Sequence, residues 1–192
     1  MLTPTLVVIL AVEDTASGSP VAKKVHKIAG FVRIPQVQPL WCWAAVTAMV
    51  FLHYRKVVSR PCEWATLRLQ RAACECCTTA SSCETGHSIL KALGDMAVLQ
   101  GVPRPATYKE IIDEITAVGG QRPLVLARRS KAHVCVIYGL DVTDVAKPKV
   151  LIADPDGGFS SEDWYELVHN AVPGWWGTVF TKKGAASGPD SC

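Results

Sequence analysis

Pro35-Gln36-Val37-Gln38-Pro39-Leu40-Trp41-Cys42-Trp43-Ala44-Ala45 is the stretch that decides the fold. From Cys42 onward the apolar residues take a helical period: Ala45, Met49 and Leu52 follow i, i+4, i+7, with Val46 and Val50 beside them. The spacing predicts a helix from Cys42 to about Tyr54 or Lys56, ended by Val57-Val58 and Pro61. A thiol in the first turn of a helix meets the positive end of the macrodipole, which favours the nucleophilic thiolate. The first N–H groups of the helix have no intrahelical acceptor and are free to stabilise an oxyanion. Ala44 and Ala45 keep the helix slim, Trp41 and Trp43 are candidate walls of a substrate site, and an upstream glutamine could add a side-chain donor.

Outward from this segment, Phe31 to Pro35 reads as extended. Ser88 to Leu99 reads as a second helix, with Ile89, Leu93 and Met96 on one face. Thr107 to Val118 reads as a third. Thr107 and Glu110 form a capping box there, and Ile111, Ile112, Ile115 and Val118 supply the apolar face. The rest reads as sheet: Pro123 to Ala127, His133 to Tyr138, Lys149 to Ala153, and Trp175 to Phe180. Helices followed by antiparallel strands make an α+β order. If 133–138 and 150–154 pair with Tyr138 opposite Lys149, then His133 falls opposite Asp154. One imidazole nitrogen could then bond the carboxylate while the other faces Cys42. His53 is a poor base, because eleven helical residues put it some ~16 Å along the axis from Cys42. His26 lies in the leader, His87 adjoins a cysteine cluster, and His169 sits in a polar stretch.

The Cys42 segment resembles the nucleophile region of papain-like cysteine peptidases, and is most similar to the type found in secreted avirulence effectors of bacterial plant pathogens. In that resemblance Gln36, six residues before Cys42, matches the oxyanion glutamine, and Gln38 fits less well. His133-Val134-Cys135-Val136-Ile137-Tyr138-Gly139 is similar to the family's histidine strand, and Val150-Leu151-Ile152-Ala153-Asp154-Pro155 to its acid strand. The resemblance implies a papain-like α+β fold, with an N-terminal helical part carrying the nucleophile packed on a C-terminal antiparallel sheet. It implies catalysis by Cys42, His133, Asp154 and Gln36, with Trp41 and Trp43 at the substrate. Two features depart from papain itself: a cysteine-rich insert at 62–87, and an Asp in Asp-Pro where papain has Asn.

Each residue also has a plainer reading. Cys42 could be a buried structural thiol, His133 an inward-facing strand histidine, and Gln36 an exposed glutamine. Asp154-Pro155-Asp156-Gly157 is a turn signal in its own right, and Asp156 is the nearest rival acid. Two other function classes stay open. One is a deamidase, transglutaminase or acyltransferase on the same triad. The other is a non-enzymatic binding module stapled by disulfides or zinc.

A net charge of +3 with scattered basic residues argues against nucleic acid, and no apolar run approaches the ~20 residues that span a bilayer. Residues 1–28 read as a leader or linker. Leu6 to Val12 is short for a signal core, follows no Lys or Arg, and runs into Glu13-Asp14. The peptidase domain is expected over 29–183 and a loose tail over 184–192. Eight cysteines are many for a reducing cytosol, and five fall between Cys62 and Cys83. Disulfides are expected there, Cys83 with Cys76 or Cys77 and Cys62 with Cys74. A zinc site with His87 is the alternative, at a spacing that matches no common pattern. Cys135, inside an apolar run, is expected to stay a buried free thiol. The remaining expectations are a protein or peptide substrate, no cofactor or metal, a monomer, and secretion from the producing cell.

Overall fold

The computed structural model describes residues 25–118, 120–128, 132–169, 175–185 and 188–192. The first helix, α1 (Cys42–Arg55), is buried without a break from Cys42 to Phe51. A helix apolar on all faces must be enclosed, and its small Ala44, Ala45 and Ala48 let other elements approach closely. Around it stand α2 (Pro61–Arg68), the short α3 (Glu75–Thr78), a 3-10 turn (Ala80–Cys83) and α4 (Ile89–Asp95). Ser88 caps α4 by accepting from the Lys91 N–H. The helix stops at Asp95, short of the expected Leu99, which instead opens strand β2 (Leu99–Arg104). Helix α5 (Tyr108–Thr116) begins with the expected Thr107–Glu110 capping box. It ends before Val118, which is exposed and not part of the apolar face.

The remaining elements are β3 (Leu124–Arg128), β4 (His133–Asp141), β5 (Lys149–Asp154), β6 (Gly158–Asp163), α6 (Trp164–His169) and β7 (Trp175–Thr181). Together with β1 (Val25–Lys27) the strands form a seven-stranded sheet ordered β2-β7-β3-β4-β5-β6, with β1 added to β4. The pairings are antiparallel. The α+β architecture, helices first and antiparallel sheet second, is the one expected.

Central strands covered on both faces read as continuous apolar runs, and β4 is such a strand. Val134 and Val136 join Val125 and Ala153 in the core beneath α1. Cys135 and Ile137 join Leu126, Ile152 and the α5 residues Ile111 and Ile115 in a second core on the other face.

The pairing of β4 with β5 differs from the expected register. Val136 pairs with Ala153, but Gly139 pairs with Leu151, so the ladder shifts between them. A Cβ on Gly139 would lie 2.6 Å from the His26 carbonyl oxygen, so only glycine lets β1 lie against β4 there. One step beyond Val136–Ala153, it is Cys135 and not His133 that stands across from Asp154.

Three disulfides tie the cysteine-rich insert: Cys62–Cys77, Cys76–Cys83 and Cys74–Cys192. Cys76–Cys83 is one of the two pairings expected for Cys83. Cys62 takes Cys77 where Cys74 was expected. With these cysteines bonded to one another, the zinc alternative has no thiolates left in the insert. The residues expected as a loose tail are tied back through Cys192, whose N–H donates to Glu63 Oε1 at 3.1 Å. Most of the expected leader lies outside the described residues. Its last part, Val25–Lys27, belongs to the sheet, and Ile28 is buried in the core.

The Cys74–Cys192 bond spans 118 residues of sequence, a long loop to restrain in the unfolded chain. Replacing Cys192 by Ser should lower the unfolding free energy by about 2–4 kcal/mol in urea titration. Cys74→Ser and the double variant should lose the same amount. Unchanged stability would mean that the C-terminus contributes no restraint.

Candidate active site

Cys42 is the first residue of α1, and the two tryptophans beside it fix where that helix begins. The Trp41 indole N–H donates to the Cys83 carbonyl at 2.8 Å, and the Trp43 indole N–H to the Thr85 carbonyl at 3.1 Å. Both acceptors belong to the disulfide-tied insert, so the helix start is pegged to a braced loop. The two rings have different roles. Trp43 lines a cleft of about 470 Å³ together with Leu40, Cys42, His87, Ile89, His133 and Val134. Trp41 is wholly buried and faces the insert, so the expectation that it walls the substrate site is corrected. A large ring with one polar group went where a buried carbonyl could satisfy it.

His133 opens β4 and Asp154 closes β5. Despite the shifted register, His133 Nε2 and Asp154 Oδ1 are 2.8 Å apart. The side chains meet on a diagonal across the two strands, within reach of an imidazole. Hydrogen bonding to Asp154 first, then to Cys135 and Cys42, holds the His133 pKa well above its ordinary value against the opposing effect of burial. For Asp154, burial works against ionisation, but the His133 bond and two backbone N–H groups outweigh it and lower the pKa.

Those two N–H groups belong to Asp156 and Gly157, which donate to Asp154 Oδ1 at 2.8 and 3.1 Å. One carboxylate thus both makes the turn and meets the histidine. Asp156, the rival acid, contributes a backbone N–H. The same turn is clamped from outside. Arg33 Nε and Nη2 donate to the carbonyls of Asp154 and Pro155 at 2.6 and 2.9 Å, and the Gln36 N–H donates to Pro155 O at 3.0 Å. The chain entering α1 is thus stitched to the turn that carries Asp154.

The Cys42 side chain is nearly buried, with Sγ 3.9 Å from the Ala132 carbonyl oxygen just before His133. Gln36 is not among the residues lining the cleft. Its Nε2 donates to the Pro39 carbonyl at 3.1 Å, and its Oε1 is buried with no hydrogen-bond partner among the described residues. Of the other histidines, His53 bonds the Gln121 carbonyl at 2.7 Å. His87 lies in the cleft with its ring 4.9 Å from Trp43, and burial, aided by Lys91 and Arg68, lowers its pKa. Sequence reading tied His87 to the cysteines because it is their neighbour in the chain, whereas the fold places it in the cleft that Cys42 also lines.

The free thiols are Cys42 and Cys135. Cys135 is wholly buried and lies outside the cleft lining, so no substrate reaches it. Sequence reading made it a bland core thiol. Its spacing of two from His133 on a strand, which puts both side chains on one face, was the signal that it shares His133's surroundings. His133, Cys135 and Asp154 each offer one donor atom within 4.8 Å of the others, a spacing that could also hold a metal ion.

Residues 27–171 match the family described as papain-like cysteine protease AvrRpt2. The chain belongs to this family. It is a papain-like cysteine protease, a hydrolase whose substrates are proteins. A comparison with curated proteins gives no match. Among the described residues no helix is long and apolar enough to cross a membrane.

The coupled pair fixes how stability depends on pH. The lowered Asp154 contributes stability above its ordinary 3.8, lost as pH falls through the folded value. The raised His133 contributes stability in full below its ordinary 6.5, lost as pH rises towards its folded value. The unfolding free-energy difference between wild type and Asp154→Asn should therefore be largest between these two values and shrink on both sides. Urea titrations at pH 3, 5 and 8 check this, and a difference equal at pH 5 and 8 would refute the coupling.

Proposed function

We propose that this protease cleaves peptide bonds through a Cys42–His133–Asp154 triad. The hydrogen bond between His133 and Asp154, at a cleft that also exposes Cys42, carries the reading. The raised His133 pKa keeps the imidazole protonated beside Cys42, which stands at the positive end of α1. Cys42 Sγ attacks the carbonyl carbon, and the N–H groups of the first turn of α1 stabilise the oxyanion. His133 gives its proton to the leaving amine, which departs and leaves a thioester. His133 then takes a proton from water, the hydroxide bonds to the thioester carbon, and the C–S bond breaks to release the acid and free Cys42 Sγ beside the protonated His133.

Gln36 is the proposed side-chain donor to the oxyanion. Its amide would exchange the Pro39 carbonyl for the substrate oxygen, a local rotation within the loop that leads to Cys42. Trp43 walls the substrate cleft together with Leu40, Ile89 and Val134, which suits an extended peptide with apolar side chains. Three disulfides are stable only where the environment oxidises thiols, which favours a protein that matures or acts outside a reducing cytosol.

An epoxysuccinyl peptide that alkylates activated thiolates tests the triad without knowledge of the substrate. The expected result is one adduct, mapped to Cys42, formed near neutral pH and lost in His133→Ala. Once a substrate is found, Cys42→Ala should abolish turnover, and Asp154→Asn should lower kcat by a factor on the order of 10²–10⁴. Gln36→Ala should cost about 10²-fold in kcat. Slow labelling of both free cysteines alike, indifferent to His133→Ala, would sink the reading.

A further inference from the structure

The Asp154 carboxylate has two oxygens, and the triad calls on one. Oδ1 accepts from His133 Nε2 at 2.8 Å, from the Asp156 N–H at 2.8 Å and from the Gly157 N–H at 3.1 Å. Oδ2 lies 3.3 Å from Cys135 Sγ. Cys135 projects from the same face of β4 as His133, two residues on, and the shifted pairing with β5 sets it across from Asp154. The Cys135 side of the contact is wholly buried, and the Asp154 side is partly exposed.

We propose that Cys135 is a positioning residue of the protease: its S–H donates to Asp154 Oδ2 and fixes the plane of the carboxylate that holds the His133 imidazole. The χ2 torsion of an aspartate is broad, so a carboxylate held only at one oxygen can turn and carry its partner with it. A donor on the second oxygen removes that freedom. The donor must carry its proton, and the surroundings favour this. Burial raises the Cys135 pKa, and Asp154 on β5 adds to the rise. His133 on β4 and Arg128 on β3 pull the other way without reversing it. Arg128 pairs with Glu162 on β6 and also hydrogen-bonds the Cys135 sulfur. Among the described residues the imidazole also meets the Cys42 thiol on α1.

The inference rests on the triad reading, and one experiment separates the two. The rate of Cys42 alkylation by an epoxysuccinyl peptide is measured against pH for the wild type, Cys135→Ser and Cys135→Val, with His133→Ala as control. Disulfides are kept intact, and adducts are mapped by peptide mass. Valine matches the shape of the site and donates nothing; serine keeps a donor. The Val variant should react at least about tenfold more slowly, the loss expected for one hydrogen bond to a charged group. Its acid limb should move to higher pH, because an ionised Asp154 with one donor fewer is less stable. The Ser variant should stay within about threefold of wild type with its acid limb unmoved. A role in packing alone reverses the order, since a hydroxyl suits an apolar core less than a methyl. A Val variant as fast as wild type, or a Ser variant slower than Val, overturns the proposal and leaves the triad standing. Wild-type Cys42 reacting no faster than in His133→Ala overturns the triad itself, and this inference with it. If Val disturbs the fold by near-ultraviolet circular dichroism, Cys135→Ala takes its place with the same expected loss.

Discussion

Burying α1 along its whole first ten residues is the constraint on which the rest of the structure depends. The helix carries Cys42 at its start, while His133 and Asp154 come from strands on the other side of the core. A thiol and an imidazole can meet only if the helix lies close to the sheet and stops sliding along it. Ala44, Ala45 and Ala48 allow the closeness, and Val134, Val136 and Ala153 provide the matching surface. Close packing of this kind resists displacement, because every shift opens a void or creates an overlap.

Sliding is checked at the helix start. Two indole N–H groups anchor the flanks of Cys42 to the insert, and the insert is braced by disulfides. From the opposite side, Arg33 and the Gln36 backbone hold the entering chain against the Asp154-Pro155 turn. The cleft therefore opens between two parts of the chain that are each fastened to the segment before Cys42. This gives the cysteine-rich insert a purpose beyond stability, since it forms part of the cleft wall through Gly86 and His87. It also explains why so modest a domain spends six of its eight cysteines on disulfides and leaves two beside the histidine.

Much of this was legible in the amino-acid order. The run from Cys42 shows helical spacing, a capping box announces α5, and short β-branched runs mark β3, β4 and β5. Each signal is local: a period, a cap or a turn is written within a few residues, and backbone hydrogen bonding turns it directly into structure. Cys42, His133 and Asp154 were legible for a related reason, because each sits at the end of an element, where side chains project beyond the backbone ladder. Helix α2 and strand β6 were missed. The first hides among the insert's cysteines and the second is an edge strand with no buried side chain, so neither shows a clear apolar period.

The sequence by itself determined the α+β order, the helix that presents the thiol, and the histidine and acid that end adjacent strands. Tertiary structure alone decided which elements face each other. It paired Cys74 with Cys192 and Cys62 with Cys77, buried Trp41 while leaving Trp43 in the cleft, and set His87 in the same cleft as Cys42. The need for glycine at residue 139, where β1 crosses close to β4, accompanies the shift that set Cys135 across from Asp154. The physical reason is range. Local patterns specify what each segment becomes, but a side chain's partner depends on how separately formed segments pack, and no period or spacing within one segment encodes that choice.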